Sequence, residues 1–101
     1  MKLNKKHIAY FKERCLFWRD RFCLKHWRFD FSTKEKIEGY AASRHNIKTF
    51  RSIIYLNLDW TNEEGRVISN EEIDRSAKHE VLHAIFNMPE EQAISFLVNI
   101  L

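Results

Sequence analysis

The chain has 101 residues, of which 45% are hydrophobic and 31% are charged, so it is long enough for one domain with one core. These fractions exclude a disordered or collagen-like chain, and there is no apolar run of about 18 residues that could span a membrane. The basic N-terminus is not followed by the apolar run that a secretory signal requires. We therefore predict a single domain over residues 1–101, located in the cytoplasm and not in a membrane.

Positive charge is concentrated near the N-terminus. Residues 1–28 hold nine Lys and Arg against two acids, whereas the rest of the chain holds eight against twelve acids. A basic segment interleaved with aromatic residues is one pattern that binds nucleic acid. The commoner cause of such a pattern is the solvated side of an amphipathic helix, and this is the interpretation that we favour.

Cys15 and Cys23 are the only cysteines of the chain. On one helix they would lie about 12 Å apart along the axis, which is too far for a disulfide. Two thiols at this spacing match neither a zinc ribbon nor a redox motif. We interpret both as small buried side chains in a reducing compartment.

The chain begins with a long predicted helix. Apolar residues recur at helical spacing over residues 4–25, in a stripe broad enough to pack flat on a sheet. Residues 27–31 then switch to strict alternation of apolar and polar side chains. This alternation predicts a strand with one buried face.

Two further strands are predicted after this one. A weaker strand covers residues 37–44, with Gly39 as a candidate bulge, and His45 and Asn46 are predicted to form a turn. Residues 50–58 are rich in β-branched and aromatic side chains and give the clearest strand pattern. Short connections between successive strands favour an antiparallel meander.

The second half of the chain predicts a polar loop and two helices. The loop covers residues 60–68, after which Ser69 and Glu72 match a capping box for a helix from 70 to about 87. Pro89 fits the first turn of a last predicted helix, which covers residues 89–101. The predicted fold is thus α+β, with an N-terminal helix, about three mainly antiparallel strands and two C-terminal helices.

His79, Glu80 and His83 form an HExxH motif late in the first of these two helices. Histidines at positions i and i+4 project from the same face one turn apart, so both imidazoles can reach one Zn²⁺. The glutamate lies about 100° further round the axis. There it can take a proton from metal-bound water and pass it to the leaving amine, which is the chemistry of a zinc peptidase.

The rest of this helix is apolar on nearly every side, except in the sector that holds the motif. A buried helix does not tolerate two histidines and a carboxylate without partners, and a metal ion is the simplest partner. Two core histidines satisfied by hydrogen bonds are the alternative. The metzincin continuation of the motif is absent, because Phe86 and Pro89 stand where its glycine and third histidine would be.

Catalytic zinc needs a third protein ligand besides water. Glu90 shares one face of the last predicted helix with apolar side chains, and a carboxylate on a buried face favours a nearby cation, so we take Glu90 as the third ligand. Glu91 is the reserve candidate, and both acids would also be favourable in the first turn of a helix without any metal. Asp59 and His45 are weaker candidates for the third ligand, because each is more simply explained as a loop or turn residue.

Three stretches carry a further signal, namely HEVLHAIF, the strand-like RSIIYLNLDW before it and PEEQAISFLVNIL after it. In these stretches the chain resembles the minigluzincins, which are very small zinc metallopeptidases of the gluzincin group with phage and bacterial relatives. The resemblance covers most of the chain and implies a minimal zincin-like fold. It implies His79 and His83 as zinc ligands, Glu80 as general base and acid, and Glu90 as the glutamate ligand. Some members are latent because their own chain blocks the cleft, so activity does not follow from the resemblance.

The broader gluzincin plan implies how a substrate would bind. A strand at the rim of the cleft pairs with extended peptide, and residues 40–44 would supply that edge. Tyr40, Tyr55 and His45 are candidates to stabilise the oxyanion, although all three are also ordinary structural residues. The expected partner is a peptide or protein substrate, and in so short a chain a homodimer could contribute to substrate choice.

Two other functions fit the same residues. Phage and bacterial regulators with zincin-like domains look similar around HExxH, and such a protein would use its basic N-terminal segment on DNA or an acidic partner, with little or no proteolysis. A structural zinc domain without turnover is the other alternative. Replacement of Glu80 separates this last function from a peptidase, because zinc would stay bound while hydrolysis would be lost.

Overall fold

The computed structural model describes residues 2–60 and 68–86, and Val98 near the C-terminus. Its elements in chain order are helix α1 (Lys5–Arg21), strands β1 (Arg28–Ser32), β2 (Ala41–Asn46) and β3 (Arg51–Leu56), and helix α2 (Asn70–Phe86). The predicted α+β class is confirmed.

Much of the predicted loop over 60–68 and nearly all of the predicted last helix over 89–101 lie outside the described residues. Within the part of the chain that is described, no helix is long and apolar enough to cross a membrane.

Helix α1 begins at a capping box. Asn4 Oδ1 accepts a hydrogen bond from the backbone N–H of His7 at 2.9 Å, and His7 Nδ1 accepts one from the Asn4 N–H at 3.1 Å. The N–H groups at the start of a helix lack intrahelical partners, and this box satisfies two such groups. Phe11 and Cys15, one turn apart, face the core, whereas the lysines of the helix are exposed. The lysines thus lie on the solvent side of the helix, as both interpretations of the basic segment require.

Helix α1 ends earlier than the predicted bound of residue 25, at Arg21. Cys23 takes a φ of 61°, and the N–H groups of Cys23 and Leu24 bond back to carbonyl groups of the last turn. This is the Schellman arrangement, in which glycine usually takes the left-handed position. The turn leaves Cys23 exposed, so the prediction of two buried cysteines was wrong for Cys23 and is confirmed for Cys15.

The sheet is mixed, with the strand order β1-β3-β2. β2 and β3 form an antiparallel hairpin in which Ser43 lies opposite Ile54 and His45 lies opposite Ser52. β1 runs parallel to β3. The prediction of a mainly antiparallel meander was therefore wrong for β1, because the chain crosses to the far edge after β1 and returns through the hairpin to the centre.

The hairpin turn also lies later than predicted. His45 and Asn46 belong to β2, and residues 47–50 make the turn. Asn46 Oδ1 accepts hydrogen bonds from two backbone N–H groups of the turn at 3.0 and 3.3 Å, and Phe50 takes a left-handed φ of 53°. Gly39, with a φ of +75°, precedes β2 and forms no bulge within it. Because the turn starts later, His45 keeps its place on the inner face of the strand.

Both helices cover the same face of the sheet. Alternation along β3 buries Ser52, Ile54 and Leu56, whereas Ile53 between them is 40% exposed. The core lies between this face and the helices. Its buried members are Leu3, Phe11, Cys15, Trp27, Phe29, Ile54, Leu56, Trp60, Ile68, Ile73, Ala77 and Val81.

Helix α2 begins as its sequence predicts. Ser69 Oγ accepts a hydrogen bond from the backbone N–H of Glu72 at 3.2 Å, which confirms Ser69 as the N-cap. Ile73, Ala77 and Val81 follow at intervals of four residues and are fully buried. The apolar stripe therefore fixes which side of the helix meets the core, and with it the direction of the HExxH residues.

Asp74 joins the two helices. Its Oδ1 accepts hydrogen bonds from Arg14 Nε at 2.6 Å and from Trp18 Nε1 at 2.8 Å. The side chains of Arg14 and Asp74 are 22% and 28% exposed, so water screens their ion pair only in part. Lys78, one turn further along α2, lies over the Trp18 ring with its Nζ 4.6 Å from the centroid.

Asp74→Ala is expected to lower the free energy of unfolding by about 1–3 kcal/mol, because Arg14 and the Trp18 N–H lose their acceptor. Asp74→Asn keeps an acceptor oxygen without the charge and should cost less. Urea unfolding of the three proteins measures the difference. Equal midpoints for the wild type and Asp74→Ala would show that this cluster does not hold the helices together.

Candidate metal centre

His79 and His83 lie one turn apart on α2, with their Nε2 atoms 3.2 Å apart and their rings crossed at 70°. Two nitrogens that bind one tetrahedral zinc at roughly 2.0–2.1 Å lie about 3.3 Å from each other. A hydrogen bond between a protonated and an unprotonated ring nitrogen has nearly the same length. The distance between the two nitrogens therefore fits two ligands of one zinc ion, and it fits a direct hydrogen bond between the rings equally well.

The predicted third ligand, Glu90, and its reserve, Glu91, lie outside the described residues. Among the residues that are described, no three His, Cys, Asp or Glu side chains are grouped so that they could hold a metal ion. Val98, from the same predicted helix, is buried beside Leu82, and its carbonyl oxygen accepts a hydrogen bond from Lys78 Nζ at 3.1 Å. The residue at position 98 thus lies against α2, the helix that carries the motif.

Glu80 lies between α2 and strand β2, and only 5% of its surface is exposed. Its Oε1 accepts a hydrogen bond from Ser43 Oγ at 2.8 Å. Burial, followed by the carboxylates of Glu80 and Asp74, raises the pKa of the Cys15 thiol. Cys15 therefore stays protonated and acts as a small apolar side chain of the core.

Two more side chains continue this contact into the sheet. His45 Nε2 lies 3.0 Å from Ser43 Oγ, and His45 Nδ1 lies 2.5 Å from Ser52 Oγ. Ser52 is 1% exposed. Burial, and to a smaller extent the charge of His83, lowers the pKa of His45 to about 4, so its ring is neutral at pH 7. We call Ser43, His45 and Ser52 the polar chain.

The other predicted site residues lie elsewhere. Asp59 is exposed after the end of β3. The Tyr40 ring stacks on Trp60 with 4.4 Å between the centroids, and Tyr55 lies on the sheet face opposite α2. Of the oxyanion candidates, His45 is the one that the hydrogen bonds of the described residues connect to Glu80.

Ser43 and Ser52 were not predicted as site residues. Alternation along β2 places Ser43 and His45 on one face, and this signal is visible in the sequence. The contact with Ser52 depends on the register of the hairpin. The sequence prediction set this register wrongly, because it placed the turn at residues 45 and 46. The rim strand predicted over residues 40–44 falls mostly within β2, which lies at an edge of the sheet.

Compared with known proteins, the chain matches no protein-family model, and no curated protein or solved structure is significantly similar to it. The resemblance to the minigluzincins therefore rests on the sequence motifs alone. The zinc site and the peptidase activity stay predictions.

Proposed function

We propose that this protein is a cytoplasmic zinc-dependent metallopeptidase that hydrolyses peptide bonds. His79 and His83 hold the metal with Glu90 as third ligand, and Glu80 is the general base. The observation that carries the proposal is the 3.2 Å separation of the two Nε2 atoms, next to a carboxylate that is 5% exposed. When bound, zinc lowers the pKa of a coordinated water and polarises the substrate carbonyl.

The surroundings of Glu80 suit a general base. A general base acts best when a hydrogen bond holds its carboxylate in place. Ser43 donates such a bond to Oε1 at 2.8 Å. Burial keeps bulk water away from the carboxylate, so a proton taken up there can be passed to the leaving amine rather than lost to solvent.

The position of β2 supports a peptide or protein as the substrate. β2 is an edge strand, and Ser43 connects it directly to Glu80. An extended peptide can add to such an edge through main-chain hydrogen bonds, which requires no particular side chain. A substrate bound in this way would run past the base, and its sequence preference would come from few pockets or from a second copy of the chain.

Purified protein is expected to bind a single Zn²⁺ per chain, and His79→Ala is expected to lose it, because removal of one imidazole leaves too few ligands. Elemental analysis by mass spectrometry after dialysis measures the metal content. His26→Ala is the matched control, since it removes an exposed histidine outside the motif. Wild-type protein without zinc, or a zinc content unchanged in His79→Ala, would contradict the proposal and favour the direct hydrogen bond between the rings.

A further inference from the structure

The hydrogen bonds of the polar chain run in one direction, from Ser52 through His45 and Ser43 to Glu80. Ser43 Oγ donates its single hydroxyl proton to Glu80 Oε1, 2.8 Å away. Ser43 Oγ can then only accept from His45 Nε2 at 3.0 Å, which means that this nitrogen carries a proton. A neutral imidazole has one ring N–H, so Nδ1 is the acceptor and the hydroxyl of Ser52 donates to it.

The other tautomer of His45 is incompatible with this direction of hydrogen-bond donation. If Nδ1 carried the proton, Nε2 of His45 would accept from Ser43, and the one hydroxyl proton of Ser43 could not also reach Glu80. The buried carboxylate would lose a donor, which is costly in a setting with little water. The hydrogen bond from Ser43 to Glu80 therefore sets the direction of donation along the polar chain.

We propose that Ser43 is a positioning residue for Glu80, and that His45 and Ser52 hold the Ser43 hydroxyl in its donating orientation. With Oε1 anchored, rotation of the carboxylate is restrained, which would hold it in place to take up the proton of the attacking water. The last step rests on the proposed function, because it assumes that Glu80 is the base. The direction of the hydrogen bonds does not depend on it.

Ser43, which anchors Glu80, lies on β2, and this position also matters for substrate binding. Ser43 and His45 point inward from β2, which is an edge strand of the sheet that the described residues form and would pair with the substrate backbone. A strand residue is held more rigidly than a loop residue, and small displacements of a catalytic group slow a reaction strongly. One strand thus sets the positions of both the base and the peptide.

The first test measures the tautomer of His45 without any assay of activity. Long-range ¹H–¹⁵N correlation spectra of the metal-free, ¹⁵N-labelled protein at pH 7 are expected to show Nε2 protonated and Nδ1 unprotonated. Ser52→Ala removes the donor to Nδ1, and Glu80→Ala frees the Ser43 hydroxyl to donate to Nε2, so both variants should shift the ring toward the other tautomer. A wild-type ring protonated at Nδ1, or no response to Glu80→Ala, would overturn the proposal.

The second test separates a positioning role from a structural one. Ser43→Ala is expected to lower kcat on fluorescently labelled denatured casein by about 10- to 100-fold, with KM and zinc content nearly unchanged. Ser43→Thr keeps the hydroxyl and should recover most of kcat. Ser32→Ala, in β1, is the matched serine control and should leave kcat as it is.

The outcomes of the two tests are distinguishable. If folded Ser43→Thr is as slow as Ser43→Ala, the hydroxyl does not position Glu80, and the proposal is wrong even though the protein is a peptidase. If the wild type neither binds zinc nor cleaves casein, the proposed function fails, whereas the tautomer of His45 and its response to Glu80→Ala still decide whether Ser43 anchors the carboxylate.

Discussion

Glu80→Gln is expected to reduce peptide hydrolysis by at least about 100-fold while zinc stays bound, because the amide cannot accept the proton of the attacking water. The side-chain oxygen of glutamine can still accept the hydrogen bond from Ser43, so the buried contact is kept. Hydrolysis of labelled denatured casein and zinc content, measured on the same preparations, give the two quantities.

Glu71→Gln is the matched control for this experiment. It makes the same chemical change on the same helix, in the exposed first turn, and should leave hydrolysis unchanged. If Glu80→Gln keeps more than a tenth of the wild-type rate, Glu80 is not the base. A wild type that binds zinc but cleaves no casein would favour a structural zinc domain or a latent peptidase.

Phe11→Ala is expected to lower the free energy of unfolding by about 3–5 kcal/mol, a large part of the stability of a small domain. Phe11 has no exposed surface, and its ring meets the edge of Phe31 with 6.5 Å between the centroids. Removal of this ring leaves a cavity between α1 and the sheet. Thermal and urea unfolding followed by circular dichroism measure the loss.

Phe17→Ala on the same helix provides the comparison. Phe17 is 44% exposed, and its main partners are the Arg14 guanidinium, 3.9 Å from the ring centroid, and the Trp18 ring. We expect this variant to lose about 1 kcal/mol or less, since little apolar surface is buried there. Similar losses for both variants would show that the wrong face of α1 has been assigned to the core.

The sequence predicts well those features whose signals lie within one continuous segment of the chain. Helix α2 carries its own N-cap at Ser69 and an apolar stripe of helical period, and the structure agrees with both. These signals also place His79 and His83 on one face, because residues four apart on any helix share a face. The close approach of the two imidazoles follows from local geometry alone.

Two features of the fold escape such reasoning because an atypical residue replaces the usual signal. Cys23 stands at the left-handed position of the Schellman motif, where a glycine would have marked the end of α1. The hairpin turn has Phe50 at its left-handed position, and no glycine or asparagine there announces it. A helix predicted too long and a turn predicted too early are the result.

The sheet order and the polar chain could not be predicted for a different reason. The parallel pairing of β1 with β3 and the contact between His45 and Ser52 are long-range facts, set by how segments distant in sequence are arranged. Period-2 alternation tells which residues share a face and leaves the partner strand and its register open. The hydrogen bond from Ser43 to Glu80 also depends on how α2 lies against β2.

The central position of β3 has a consequence for the order in which the chain folds. β2 and β3 are joined by the short turn at 47–50, so closing their hairpin costs little loop entropy and is fast. β1 must find β3 across the whole hairpin, and α2 can dock only on a surface that already exists. We therefore expect Ser43, His45 and Ser52 to come together early and Glu80 to join them late. A newly made or partly folded chain would then hold Ser43, His45 and Ser52 together without the Glu80 carboxylate, so the base of the proposed peptidase would be in place only when folding is complete.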